Sequence, residues 1–402
     1  MSSDPLVAFN RIGVLTGGGD CPGLNAVIRA VVRQQLRGYG GSVFGFHDGW
    51  RGVVENEGEE LDVERLRGTL PRGGTIIGTS RMTPYMVDNG PERVRATMQE
   101  RELDALVVIG GEGTLACASR IHDEGIAKVV GVPKTIDNDI PGTERTFGFD
   151  TAVSIATDAI DRLHTTAESH DRIMVVEVMG RHVGHIATWA GLAGGATVTL
   201  IPEEPFDIEQ VCDRLKRRHS LGKFASIVVV AEGALPVPGT IDIAPPEIDR
   251  YGHQRLGGIG SIVASEIEGR TGYETRVTVL GHVQRGGTPT AFDRVLCSRF
   301  GVAAADAIHK GLFGHMVALN SNEITTVPLA DIVGELHFVP EDMWRTASVF
   351  FALAFFRTNA TWKNQVHDSL RTRAPLHSSR VSTNCDCTLN AAIDQIYKAS
   401  II

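Results

Sequence analysis

The sequence predicts an α/β protein, two three-layer units of mostly parallel sheet covered by helices on both faces. Three observations point there. Short runs rich in Val, Ile and Leu recur along the chain, helix-like stretches follow most of them, and the turns between carry glycines or charged clusters. Such continuous apolar runs are the mark of strands buried on both faces, as parallel strands are. A length of 402 residues with 42% hydrophobic content provides core for two domains or slightly more.

In chain order, Ile12-Gly13-Val14-Leu15 reads as the first strand, Thr16 to Gly23 as a loop containing Gly17, Gly18, Gly19 and Cys21, and residues 24–35 as a helix. Residues 93–101 are helix-like. The strand Ala105-Leu106-Val107-Val108-Ile109 enters Gly110-Gly111-Glu112-Gly113-Thr114, with a helix expected over 115–124. Lys128-Val129-Val130-Gly131-Val132 is the next strand and runs into Pro133-Lys134-Thr135-Ile136-Asp137-Asn138-Asp139. A long helix is expected over 150–167, with Ile155, Ala159, Ile160 and Leu163 as its apolar face. Residues 173–178 and 227–231 start a second sheet, and Val277-Thr278-Val279-Leu280 precedes His282, Arg285 and Gly286-Gly287. Residues 234–260, rich in Pro and Gly, read as a surface excursion.

The cluster after the 128–132 strand carries the chemistry. It places a cation, a hydroxyl and two carboxylates at the carboxyl end of a strand, where open α/β sheets bind ligands. Two carboxylates beside a lysine suit proton abstraction from an alcohol near a metal-bound phosphate. Alone, the cluster also admits a reading as turn and cap residues, the weaker of the two. Both glycine loops open helices, a geometry that brings backbone N–H groups to an anion. Glu112 within one of them fits a Mg²⁺ that bridges phosphoryl oxygens. Neither loop matches GxxxxGK[ST] or GxGxxG, which disfavours P-loop and dinucleotide folds.

Together, TGGGDCPGLNAVIR, GGTIIGTSR, GGEGT, PKTIDNDI, SHDRIMVVEVMGRHVG, VVAEG and TRVTVLGHVQRGGTPTAFDR, in this order between residues 11 and 351, resemble the bacterial-type 6-phosphofructokinases. The resemblance implies the phosphofructokinase fold, a donor-binding domain of 1–148 with 284–336, and a fructose 6-phosphate domain of 149–283 with 337–351. It implies phosphoryl transfer to O1 of fructose 6-phosphate, with Asp137 as base and Thr135, Asp139 and Arg181 beside it, and Mg²⁺ at Glu112. Gly18, Gly19, Arg81, Met82, Gly111, Gly113 and Thr114 are implied to line the donor. Thr135, Ile136, Asp137, Met179, Gly180, Arg181, Glu232, His282, Val283, Gln284 and Arg285 are implied to line the sugar phosphate, with Arg172 and Arg276 supplied by a neighbouring subunit. Shared sites imply a homodimer or homotetramer. The arginines suit a phosphate dianion on charge grounds as well, because each guanidinium pairs phosphate oxygens bidentately.

Donor choice turns on two positions. Gly113 is the ATP-type residue, since a carboxylate there would occupy the space and charge of an α-phosphate; Lys134 is the pyrophosphate-type residue. An absent side chain permits a nucleotide, whereas an added lysine repels no triphosphate, so ATP is favoured and pyrophosphate stays as the alternative. A catalytically silent regulatory subunit is the alternative of another class; intact Asp137, Asp139, Glu112, Arg181 and His282 argue against it.

A formal charge of -9 disfavours nucleic acid as partner, and no apolar run reaches membrane-spanning length. With no leader-like segment and scattered cysteines, a cytoplasmic enzyme with reduced thiols is expected. Cys385 and Cys387 are too little for zinc. Arg29 and Arg33 match part of the basic effector pocket of regulated relatives, whereas His164, Leu221 and Phe224 stand where those relatives have cations, which puts such regulation in doubt. Residues 352–402 hold six Lys and Arg against three Asp and no Gly or Glu, and read as a dispensable appendage that opens on the apolar stretch 349–356.

Overall fold

A computed structural model of the chain describes residues 9–241 and 256–351. The larger sheet is built on β1 (Arg11–Gly17), flanked in parallel by β2 (Ser42–Phe46) and β4 (Ala105–Gly110), with β3 (Gly58–Glu60) antiparallel at the edge. β5 (Val129–Thr135) extends it beside β4 and carries the two-residue β6 (Phe147–Gly148). A second sheet, parallel throughout, orders β7 (Ile173–Val178), β8 (Val198–Leu200), β9 (Ser226–Ala231) and β10 (Thr275–Val279) as β10-β7-β9-β8. The chain then returns to the first sheet with β11 (His315–Asn320) and antiparallel β12 (Glu323–Pro328), giving β12-β11-β5-β4-β1-β2-β3. Antiparallel pairing is thus confined to the edges of the larger sheet.

Strand periodicity separates the cores. In β4, Val107 and Ile109 enter one cluster and Leu106 and Val108 the other. α1 (Leu24–Gly38) lies on the first side and α2 (Trp50–Glu55), α3 (Gly90–Glu100) and α4 (Glu112–Asp123) on the second. α5 (Phe149–His170) and α6 (His185–Ala193) belong to the first cluster as well. α7 (Ile208–Ser220) and α8 (Ile259–Thr271) cover the outer face of the small sheet. α9 (Ala291–His309) and α10 (Glu341–Phe351) complete the first cluster, which takes in Val107 and Val132 of one sheet and Val176 and Val229 of the other. Both sheets therefore share one continuous core, which fixes the carboxyl ends of their strands relative to each other.

Two expectations need correction. α5 buries Phe149, Ala152, Ala156, Ile160 and Ala167, whereas Ile155, Ala159 and Leu163 are only half-buried. The helix is rotated because its small residues, Ala152 and Ala156, meet the crowded side between the sheets. α4 starts at Glu112, three residues before the expected position, with Gly111 as N-cap. The tail 352–402, Cys385, Cys387 and most of the 234–260 excursion lie outside the described residues.

Asp293, in the first turn of α9, ties that helix to the start of α5. Its carboxylate accepts from Gly148 N at 3.0 Å, Thr151 N at 2.9 Å and Thr151 Oγ1 at 2.5 Å. Burial pushes its pKa up to about 6, against the pull of these donors. Asp293→Ala leaves the α5 amides without this acceptor. Urea titration should show a loss of ~2–4 kcal/mol, the range for a buried charged acceptor with several donors.

Candidate active site

The two glycine loops lie side by side at the carboxyl ends of β1 and β4. A Cβ on Gly17 or Gly110 would fall 2.7 or 2.3 Å from Thr114, so glycine at both lets the buried Thr114 side chain seat between the strands. Gly18 takes φ +82°, its N–H bonds Ser80 O at 2.9 Å, and its carbonyl accepts from Thr79 Oγ1 at 2.7 Å. The segment that carries Arg81 and Met82 is thereby laid against the loop. Lys134, buried at the end of β5, donates from Nζ to Gly19 O at 2.5 Å. Burial lowers its pKa and Arg285 adds to this, while Asp139 and Asp137 pull the other way. Glu112, Gly113 and Thr114 form the first turn of α4; the Thr114 amide donates to Gly111 O at 3.1 Å, and the amides of Glu112 and Gly113 with the helix dipole face the same cleft. A Cβ on Gly113 would meet nothing within 4 Å.

Between these loops and the small sheet lies the acidic turn. Thr135 is the last residue of β5, and its Oγ1 accepts from Asp137 N at 3.0 Å. Asn138 stands at φ +55°; its Oδ1 accepts from Thr146 N at 2.8 Å and its Nδ2 reaches Glu144 O at 3.3 Å. Asn tolerates that backbone better than most residues. Asp137 is 4% exposed, and Oδ1 of both Asp137 and Asp139 is buried without a hydrogen-bond partner. Burial, then Asp139, pushes the Asp137 pKa up to about 7; Arg285 and Arg181 act against this. Glu112 is solvent-accessible, yet the dense cleft around it and the nearby Asp139 raise its pKa, against Arg181 and a bond from Gly334 N–H.

These groups bear on the expected Mg²⁺. Among the described residues no set of three or more His, Cys, Asp or Glu side chains makes a preformed metal cage. Mg²⁺ bound through phosphates needs only one or two carboxylates, and the unpaired oxygen of Asp139 next to Glu112 is consistent with that chemistry.

The small sheet supplies the cations. Met179, Gly180 and Arg181 follow β7, Arg181 at φ +50°, an uncommon conformation of the kind that clusters at functional sites. Glu232 follows β9 and accepts from Arg181 N at 3.1 Å; a Cβ on Gly233 would fall 1.8 Å from Arg181 O, so this approach needs glycine. After β10, the 3₁₀ turn Gly281–Arg285 exposes His282 and Val283 and buries Gln284, whose Nε2 reaches Gly281 O at 3.1 Å. A Cβ on Gly19 would fall 1.8 Å from Arg285 Nη1, which places this guanidinium on the first glycine loop as well as beside Asp137. Ile136 and Met179 are buried. Arg172 and Arg276 are elsewhere: Arg172 directly precedes β7 and Arg276 is the second residue of β10, both near the amino ends of those strands, and both pair with Glu274, Arg172 at 2.7 Å.

The phosphofructokinase family profile matches residues 11–308. The chain belongs to the phosphofructokinase family. A Streptomyces coelicolor relative named pyrophosphate–fructose 6-phosphate 1-phosphotransferase is 55% identical over 341 residues, 85% of this chain and 99% of the relative. A Mycobacterium tuberculosis relative named ATP-dependent 6-phosphofructokinase is 56% identical over 342 residues, with the same shares covered. Phosphofructokinase from Saccharomyces cerevisiae superposes with a TM-score of 0.71 at 31% identity over 90% of this chain and 48% of its own, so this chain spans about half the yeast chain.

Several residues that build the site were missed in the sequence. Asn25 holds the 72–76 segment, donating to Arg72 O at 3.0 Å and accepting from Ile76 N at 2.8 Å. Glu177 caps α8, accepting from Gly258 N at 3.0 Å and Gly260 N at 2.7 Å; a lone carboxylate in the apolar strand Ile-Met-Val-Val-Glu-Val was a signal that a buried partner exists. His337 contacts the acidic turn from 199 positions away, with no local pattern to announce it.

The raised Asp137 pKa has a stability consequence of definite sign. Folding favours the protonated acid, so as pH rises from the unfolded value of ~3.9 through about 7 the folded state progressively loses stability. Asparagine cannot ionise. In protein free of metal and substrate, Asp137→Asn should raise Tm by a few degrees at pH 8 and leave it nearly unchanged near pH 4, as thermal melts at the two pH values would register.

Proposed function

We propose that the chain is a cytoplasmic 6-phosphofructokinase that transfers the terminal phosphoryl group of ATP to O1 of fructose 6-phosphate. The observation that carries this reading is the buried, half-unpaired Asp137, pKa about 7, set between donor-side glycine loops and the Arg181 turn. A base with a pKa near the working pH combines availability with strength. Asp137 takes the O1 proton, the O1–phosphorus bond forms and the bond to the leaving phosphate oxygen breaks, giving fructose 1,6-bisphosphate and ADP. Thr135 positions Asp137 through its backbone amide. Arg181 and Arg285 offset charge that develops on the transferred group. Glu112 and Asp139 would hold Mg²⁺, which supplies charge neutralisation on the phosphates.

Residues 1–148 with 284–336 then form the donor unit and 149–283 with 337–351 the sugar unit. Gly18, Gly19, Arg81, Met82, Gly111, Gly113 and Thr114 line the donor, while Met179, Gly180, Arg181, Glu232, His282, Val283, Gln284 and Arg285 line the sugar. Asp137→Asn should retain substrate binding and lose ~10² to 10⁴ in kcat; near-normal turnover would remove Asp137 from the mechanism.

ATP as donor is supported by the open space beyond Gly113. Relatives of equal similarity carry both donor names, and Lys134, seated between the glycine loops, keeps pyrophosphate as the second reading. Gly113→Asp adds a carboxylate in the first turn of α4, where an acid is tolerated or favoured, so the protein should fold normally. It should lower kcat/KM for ATP by ~10²-fold or more, since a like charge at ~4 Å in an effective dielectric near 20 is worth several kcal/mol. Pyrophosphate use should change little. Lys134→Met should lower pyrophosphate use more than ATP use, since the lost bond to Gly19 O affects both donors alike. Wild-type preference for pyrophosphate, or equal loss with both donors, would overturn the ATP assignment.

The separation of Arg172 and Arg276 from Arg181 supports a shared site. Six residues of β7 at ~3.3 Å each put roughly 20 Å between the two ends. The edge strand β10 and its surroundings also expose Val279, Val283, Phe292 and Val295, an apolar surface suited to a second subunit. Mixing inactive Arg172→Ala and Asp137→Asn proteins should restore part of the activity, because a hybrid can hold one site lacking neither group. No recovery after verified subunit exchange would assign both residues to one chain's own site.

A further inference from the structure

The segment between β12 and α10 turns at residues 332–334 and then runs as a strap outside helix and strand over residues 335–340, crossing from one sheet's elements to the other's. On the donor side Gly334 N–H donates to the Glu112 carboxylate. His337 N donates to Asp139 O at 2.9 Å, and His337 Nδ1 lies 3.0 Å from Asn138 O. A carbonyl only accepts, so Nδ1 carries the proton. One residue therefore holds the carbonyls of both peptide groups that flank Asp139.

On the other side the strap is anchored as firmly. His337 O accepts from His185 Nε2 at 2.9 Å, and the two rings lie 4.8 Å apart between centroids. Val339, 6% exposed, donates its N–H to Glu203 Oε1 at 3.1 Å. The same carboxylate oxygen accepts from Gly184 N at 2.9 Å, three residues beyond Arg181. Six consecutive residues thus touch Glu112, the Asp139 backbone, α6 and the loop that follows Arg181.

From this geometry we infer that His337 is a positioning residue: it fixes the backbone on both sides of Asp139 and, through the strap, sets the spacing between the acidic turn and the Arg181 turn. The inference rests on the roles proposed above for Asp139 and Arg181. The Asn138 side chain ties the turn to Thr146 and Glu144, but those bonds do not involve the carbonyls of residues 138 and 139 and leave the 138–139 and 139–140 peptide groups free to rotate. Hydrogen bonds to both carbonyls remove that freedom. A displacement of about 1 Å at a phosphoryl-transfer site is enough for a loss of ~10²-fold.

The test compares His337→Ala and His337→Asn in the full-length chain. The Asn side-chain amide can donate to Asn138 O in place of Nδ1, and the backbone N–H of residue 337 is present in both variants. For the Ala variant we expect kcat to fall ~10- to 100-fold while KM for either substrate changes less than ~3-fold, with Asn recovering most of the loss. Hydrogen exchange should quicken in peptides covering residues 136–142 and stay unchanged in the β4 peptides. Unaltered exchange in 136–142, unaltered kcat, or protection lost evenly across the whole protein would each overturn the positioning role. A wild type without turnover on either donor would sink the functional reading, and exchange at 136–142 would still decide whether His337 holds the turn.

Discussion

Two carboxylates two residues apart, each with a buried oxygen that no donor reaches, define the energetic problem this chain solves. Each unpaired buried polar atom costs ~1–3 kcal/mol, and mutual repulsion adds to that. Neither aspartate can supply the compensation. It comes instead from the cations Arg181 and Arg285, from the Asn138 side chain that locks the turn to Thr146 and Glu144, and from the shared core that holds both sheets' carboxyl ends in place. On the role proposed for Asp137, its destabilisation as an anion would also make it a better base. Stability and chemistry are set against each other at one atom.

The fold was legible because its information is local. Apolar β-branched runs of five to seven residues with glycine or acid turns mark β1, β4, β5, β7 and β9 directly in the sequence. The acidic turn, the glycine loops and Arg181 were legible for the same reason, since each is a contiguous motif. Features that depend on long-range contact were not. α4 begins at Glu112 although Gly113 is a poor helix former, because the β4–α4 packing and the seat of Thr114 between Gly17 and Gly110 outweigh intrinsic propensity. The α5 face was misread by one stripe because alanines, not the larger Ile155 and Leu163, fit the narrow space between the sheets. His337, His185 and Glu203 come together only through chain reversals that no local pattern encodes.

Donor choice is conflicted in the sequence because the two signals act at different distances. Lys134 is buried, and its Nζ already bonds the Gly19 carbonyl, so part of its role is to close the glycine loop whatever the donor. A structural role of that kind weakens its value as a marker for pyrophosphate. Gly113 has no such second role: its missing side chain borders open space and packs against nothing. An absence with no packing reason is better explained by what has to pass there.

The same contrast separates the arginines. Arg181 and Arg285 sit among carboxylates at the carboxyl ends of the strands, and their positive charge is used within the chain's own cleft. Arg172 and Arg276 share the single carboxylate of Glu274 at the opposite end of the sheet, two cations on one anion. That cluster carries a surplus of one positive charge, half-exposed, with capacity for a further anion. On the proposed shared site, an anion bound there would belong to a second molecule, which the apolar edge along β10 would bring close. On the proposal that Arg172 and Arg276 serve a sugar-phosphate site, parallel-strand geometry keeps them from this chain's own Arg181, because residues at the amino end of a strand and residues after it do not meet at the same ligand.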